Sequence, residues 1–338
     1  MGTMQKLREL CSDKEEFPQE ILAWIAQENL WNLWVPKSYG GLEQSLVQGL
    51  KKLRSLAQVD GSLGWTVTLC SGANFFVGNL QREVAGEIFL NPREPVCFGG
   101  SGGVHGTAEK QGEGYVISGR WRYATGAPYL SHFTLNASLR EAGRDLTHPD
   151  GTPLVRSFLL KKENVGIIKD WTAMGLKATA TNSFEVPSQW VHAKYSFQYN
   201  DIRLPHPIFK VDFPVFADLT LWANYIGMAA RFREEAKKPV GHKGLKGLSA
   251  CIAHADSKIM GLAQRIEEYV HVGDRPPGSI QVEIHREATR SVSTLSMEII
   301  GAYPMLGIRA SRLDHPLNQA FRDYFTATQH PIFSQKKT

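Results

Sequence analysis

Cysteine is scarce and scattered. The four copies, Cys11, Cys70, Cys97 and Cys251, make no C-x-x-C pair, which excludes a zinc ribbon and a thioredoxin-type redox motif and makes a cytoplasmic protein the expectation. No apolar run approaches the ~20 residues that cross a bilayer. The opening MGTMQKLRELCSDKEEF has no apolar signal segment, and Gly2 is followed by Thr3, Met4, Gln5 and Lys6 rather than by the pattern an acylation site needs, so neither export nor myristoylation is expected. Charge of one sign is not concentrated either. Lys+Arg 38 against Asp+Glu 33 leaves +5, with no basic stripe interleaved with aromatics, which argues against a nucleic-acid partner. There is no G-x-S-x-G elbow, so hydrolase chemistry is unsupported. The glycines near residue 100 do not form a G-x-G-x-x-G that opens a helix, so no dinucleotide-binding α/β fold is implied. Glu268 and His271 make half of a ferritin-type Glu-x-x-His arrangement, but no second copy exists and no metal site is expected.

What remains is ordinary globular composition, 42% hydrophobic and 21% charged over 338 residues, long enough to bury a sizeable core and to fold throughout. Three textures follow one another. From Phe17 to about Asn91 apolar residues recur at helical spacing: Ile21, Leu22, Trp24 and Ile25 lead to Leu30, then Leu46, Leu50, Leu53 and Leu56, then Trp65 to Leu80. From about Val96 to Phe197 the segments YVISGRWRYATGA, HFTLNASL, LVRSFLLKK and NSFEVPSQWVHAKYSF are rich in β-branched and aromatic residues and read as strands. After LPHP, Leu204 to Pro207, the helical texture returns over about Phe213 to Ala236, Leu248 to His271, Ile280 to Ile300 and Leu317 to Thr328. The expected fold class is α+β: an N-terminal helical domain (1–95), a central β-barrel or sandwich domain (96–205) and a C-terminal antiparallel four-helix bundle (206–338). Glu283, Arg286, Glu287 and Arg290 alternate at helical spacing and read as a solvated or subunit-facing salt-bridge strip.

Four segments, in order, resemble the acyl-CoA dehydrogenase superfamily. VPKSYGG, a helix and DGSLGWTV look like its opening. CFGGSGGVHGTAEKQGEGYVISGRWRYATGAPYLSHF and DWTAMGLKATATNSFEV look like its flavin-facing β segments. GAYPMLGIRASRLDHPLNQAFRDYFTATQHP is similar to the last helices of one branch, the two-component flavin-dependent monooxygenases. The chain is shorter than that family's usual length, at the N-terminal helix and between the first two C-terminal helices. The resemblance implies FAD or FMN as cofactor, reduced by a separate flavin reductase in the monooxygenase branch. It also implies a small-molecule substrate and a homo-oligomer, a dimer or tetramer built through the C-terminal bundles.

The resemblance also assigns residues. In GRWRYATGA, which would run beside the flavin ring with Trp121, Thr125 would hydrogen-bond near N5 and the backbone amides around Tyr123 and Ala124 would meet the ring's polar edge; taken alone, Trp121 and Tyr123 are simply buried strand aromatics. In GLKATATN, Ala178, Thr179 and Thr181 are small or hydroxyl-bearing and suit a ring edge or phosphate; alone they are a Thr-rich strand. Gly99, Gly100, Ser101 and Gly103 read as a flexible loop whose amides would meet flavin or substrate. The dehydrogenases place a glutamate where Pro331 stands, so the base for acyl-CoA chemistry is missing there. Asp218, beside the position of an alternative base, is the atypical substitute. His330 in ATQHP stands where the monooxygenase branch has a catalytic histidine, able to take a proton from a phenol or to donate a hydrogen bond near the flavin; alone it is a helix-terminal histidine facing a dipole. Many relatives carry a second histidine where this chain has Ala73 followed by Asn74. The reading is a flavin-dependent oxidoreductase, a monooxygenase acting on a small aromatic or similar substrate. The alternatives are an acyl-CoA dehydrogenase with an atypical base and a non-catalytic flavin-binding or scaffold homologue.

Overall fold

A capping box opens the third helix: the Ser45 hydroxyl accepts from the Gln48 N–H at 3.4 Å, and Gln48 Oε1 accepts from the Ser45 N–H at 3.1 Å. The computed structural model to which this detail belongs describes residues 3–333; Gly2, and with it the myristoylation argument, lies outside them. The first helices are α1 (Thr3–Cys11), α2 (Gln19–Gln27), α3 (Leu46–Val59), α4 (Gly61–Asn74) and α5 (Arg82–Phe89). Asp60 ends α3 and caps α4, its carboxylate accepting from the Leu63 N–H at 3.0 Å, so one residue makes the corner between them. α4 is buried on nearly every side, which is why its sequence shows little amphipathic contrast.

The strands are β1 (Phe98–Gln111), β2 (Gly114–Ala124), β3 (His132–Glu141), β4 (Arg144–Asp145), β5 (Val155–Lys161), β6 (Gly166–Ile168), β7 (Asn182–His192) and β8 (Ser196–Phe197). Among the described residues they form one sheet in the order β6-β7-β2-β1-β3-β5-β8, with β4 pairing β3, and there only β1 and β3 run parallel. The expected barrel or sandwich is corrected here: the sheet is open. Its end strands are three and two residues long, too short to support a closing ladder, and short edges are one way a sheet avoids pairing with other chains. A second correction concerns residues 99–103, expected as a flexible loop. They are the first half of β1, paired with β3 as far as Ser101 and then shifted in register before Val104; their glycines hid the strand from a pattern search.

The chain closes with α6 (Phe213–Val240), α7 (Lys246–His271), α8 (Gly278–Ala302) and α9 (Pro316–Ala327), close to the spans expected. α6 is buried around its whole circumference because it packs on α7, α8 and α9 and also on α3 and α4. Gly227 permits the α3 contact: a Cβ there would lie 2.3 Å from the Arg54 carbonyl oxygen. The bundle thus shares its central helix with the N-terminal helices, and a cavity opens where both meet the sheet. No described helix is long and apolar enough to cross a membrane.

Candidate functional site

α4, β1, the end of β2 and the start of α6 enclose a cavity of about 290 Å³. Gly99, Ser101, Tyr123, Thr125 and His330 line it together, with Ala73 and Gly72 of α4 as a flat wall. Trp121 does not reach it. By strand alternation Trp121 and Tyr123 would share a face, but the pairing with β7 shifts register between Trp121 and Ala124, and Tyr123 takes φ +65°. The bulge turns Tyr123 outward, 68% exposed, and leaves Trp121 in the core. There the indole lies 5.4 Å from the Phe184 ring between centroids and donates to the Asn136 carbonyl at 2.9 Å. Ala124 is likewise buried in the strand. A tyrosine held at positive φ stores backbone strain of roughly 1–3 kcal/mol, which clusters at functional sites.

Thr179, Thr181 and Thr125 form a buried hydroxyl chain. Thr179 Oγ1 donates to the Leu176 carbonyl at 2.7 Å, Thr179 and Thr181 are 2.7 Å apart, and Thr181 and Thr125 are 3.1 Å apart. Each hydroxyl has one proton, so the first bond sets the direction: Thr181 donates to Thr179, and Thr125 donates to Thr181. Thr125 therefore presents lone pairs, an acceptor, to the cavity. The segment before β7 is a turn rather than a strand, with Leu176 and Ala180 at positive φ. Ala178 is buried and its carbonyl accepts from the Tyr129 hydroxyl at 2.9 Å; Ala178 and Thr179 support the site without lining it. α9 holds this turn in place: Arg322 Nη1 donates to the Met174 carbonyl at 2.5 Å, and Gly175 lies so close that a Cβ would be 2.3 Å from the Arg322 carbonyl carbon.

His330 stands edge-on to Trp65, ring centroids 5.7 Å apart, and its Nδ1 accepts from the Ile332 N–H at 3.3 Å. That bond assigns the neutral tautomer with the proton on Nε2. Burial pushes the imidazole below its ordinary value, so near neutral pH it is uncharged and acts first as an Nε2–H donor. Ala73 lines the cavity, whereas Asn74 is structural: its Oδ1 accepts from the Phe98 N–H at 2.7 Å and its Nδ2 donates to the Val96 carbonyl at 3.0 Å, pinning the start of β1 to α4.

Another part of the lining was not found by sequence reasoning. Phe76, Tyr199, Phe213 and Phe216 form it, and no local pattern brings a residue that follows β8 against the start of α6. Tyr199 is held from two sides. Asn79 Nδ2 donates to the Gln198 and Tyr199 carbonyls at 2.9 and 3.0 Å, and Asn136 Nδ2 donates to both the Gly102 carbonyl at 2.9 Å and the Tyr199 hydroxyl at 3.4 Å. Asp218 is absent from this cavity; it is buried against His285 and faces an outer groove. Among the described residues no group of three or more His, Cys, Asp or Glu side chains is arranged to hold a metal.

The cavity suits a planar heteroaromatic ring: small residues, aromatics, an exposed tyrosine and an aligned acceptor in Thr125 all line it. Residues 217–335 match the family described as acyl-CoA dehydrogenase, C-terminal domain. The chain is 28% identical to the indole-3-acetate monooxygenase of Acinetobacter baumannii over 222 residues, 65% of this chain and 55% of that protein. It is 21% identical to the flavin-dependent monooxygenase oxygenase subunit HsaA of Rhodococcus jostii over 98% of this chain and 91% of that one. Its fold superposes on XiaF from Streptomyces sp., solved with FADH2 and glycerol, with a TM-score of 0.87 at 19% identity, covering 98% of this chain and 89% of the other. The C-terminal third of the chain thus matches the acyl-CoA dehydrogenase C-terminal domain, and the chain as a whole is similar in sequence and fold to flavin-dependent monooxygenases.

Proposed function

We propose that this protein is the oxygenase component of a two-component flavin-dependent monooxygenase, acting on a small aromatic substrate with reduced flavin delivered by a separate reductase. The carrying observation is that Tyr123, Thr125, Gly99, Ser101 and His330 line one cavity, while Pro331 and not a glutamate follows the histidine. Reduced flavin, FAD or FMN, supplies two electrons to O₂, one oxygen atom entering the substrate and the other leaving as water. Thr125, an acceptor, suits the N–H that N5 carries only in the reduced ring. His330 orients the substrate or a developing oxyanion through Nε2–H, and the aromatic wall excludes water from the reacting atoms. Asp218, engaged with His285 outside the cavity, is poorly placed as a dehydrogenase base.

The same reading assigns three domains at 1–95, 96–205 and 206–338, a cytoplasmic setting in keeping with four unpaired cysteines, and a dimer or tetramer. The assembly is supported by exposed apolar residues that follow one another at and after the end of α8: Ile300, Met305, Ile308 and Leu313. The test is anaerobic mixing of the protein with reduced flavin and a panel of phenols and indoles, followed by oxygen. Hydroxylated product supports the reading; flavin reduction by an acyl-CoA, with no hydroxylation, overturns it.

A further inference from the structure

Beside the inner cavity lies a larger groove of about 1180 Å³, and the two share Phe213, Ala217 and Ile332 as a common wall. The chemistry proposed above makes no use of it. Its lining is apolar at Val282 and Met297, and it contains one carboxylate, Asp218. That carboxylate is buried and engaged: His285 Nδ1 lies 3.1 and 3.3 Å from its two oxygens. It therefore does not neutralise the cations that face the groove. Arg286 and Arg290 stand four residues apart on α8, a like-charge pair that costs a helix stability unless an anion lies between them. Glu283, which the alternating sequence would pair with them, is instead bonded to Arg265 at 2.9 Å. Arg286 meets only Glu287, at 3.5 Å, and the Arg290 guanidinium has no side-chain partner among the described residues. Thr289, between them, has a buried hydroxyl without a partner. The salt-bridge strip expected from the sequence thus keeps one ion pair, Arg286–Glu287, and leaves Arg290 facing the groove without a carboxylate.

We propose that this groove receives the carboxylate tail of an aromatic acid whose ring enters the inner cavity, with Arg286 and Arg290 holding the tail. Guanidinium groups match carboxylate oxygens in geometry as well as charge. The apolar side chains of Val282 and Met297 in the groove lining accommodate the linker between tail and ring. The assignment rests on the oxygenase reading, because it names the substrate class of that same site.

The test is equilibrium dialysis of the full chain against two near-isosteric probes, indole-3-acetate and its uncharged amide, repeated with phenylacetate and phenylacetamide. The acid is expected to bind about tenfold or more tightly than its amide, the size of a charge-assisted hydrogen bond. Arg290→Gln and Arg286→Gln each reduce that preference, and the double variant abolishes it while leaving amide binding intact, which shows that the variant is folded. Arg290→Lys retains part of it. Equal affinity for acid and amide, binding of neither acid, or a preference that survives in the double variant overturns the proposal. Product analysis with reduced flavin and oxygen separates the two claims. Charge preference without hydroxylated product sinks the oxygenase reading alone; hydroxylation without charge preference sinks this one alone.

Discussion

The backbone N–H of Leu176 donates to the Asp323 carboxylate at 2.6 Å, tying the turn that carries Thr179 and Thr181 to α9, the helix that leads to His330. Asp323 is buried near Asp60, the cap of α4. Burial, reinforced by the Asp60 charge, pushes Asp323 up to about 7, and burial pushes Asp60 up to about 6. Raised carboxyls favour the protonated folded state, so their stabilising effect is complete below the ordinary carboxylate range and is lost as pH rises through 6 to 7. The thermal midpoint is expected to fall between pH 5 and pH 8. Asp323→Asn keeps an oxygen for Leu176 and should flatten that fall; an undiminished slope in the variant would place the titration elsewhere.

Gly175 has no room for a side chain. Its neighbour is the Arg322 backbone, which cannot step aside as a side-chain tip would. Gly175→Ala is expected to cost about 1–3 kcal/mol in urea unfolding, the usual range for overpacking, and to weaken flavin binding because the Thr179–Thr181 turn shifts. An unchanged midpoint would mean that α9 and the turn are not in contact in solution.

The hydroxyl chain makes a sharper claim about Thr125. Thr125→Ala should weaken reduced flavin by about 1–3 kcal/mol through one lost buried hydrogen bond, with oxidised flavin less affected because its N5 carries no proton. Thr125→Ser should restore the affinity. Equal losses for both oxidation states would remove the acceptor role.

Much of this arrangement was legible before any coordinates. The C-terminal helices announce themselves through Leu248, Ile252, Ala255, Ile259 and Leu262, a stripe that must be buried, and β3, β5 and β7 through runs of branched and aromatic residues. β1 was not, because Gly99, Gly100, Ser101 and Gly103 read as a loop when only side-chain pattern is consulted; backbone pairing of Gly99 to Ser101 with β3 starts the strand there. Trp121 and Tyr123 looked equivalent two residues apart, and only the bulge between them sends one to the core and the other to the cavity. Tyr199, Phe213 and Phe216 were invisible as site residues because long-range packing, not local sequence, brings them to the wall.

Burial of His330 also sets a pH dependence. Its imidazole is held below the ordinary value of ~6.5, so the neutral Nε2–H donor persists into mildly acidic solution. The yield of hydroxylated product per oxygen consumed should be flat from pH 8 to pH 6.5 and decline only below that. A midpoint above 6.5 would show that His330 is not the group being read.

The most direct measurement is the partition of oxygen between hydroxylated substrate and hydrogen peroxide when protein carrying reduced flavin is mixed with O₂, for wild type and His330→Ala side by side. Wild type should yield mainly hydroxylated product. His330→Ala should bind reduced flavin as before and still consume oxygen, but form product slower by about 10²- to 10⁴-fold, with peroxide making up the balance. Product formation unchanged by the substitution, or wild type that releases only peroxide with every aromatic substrate offered, would contradict the assignment of this cavity as an oxygenase site.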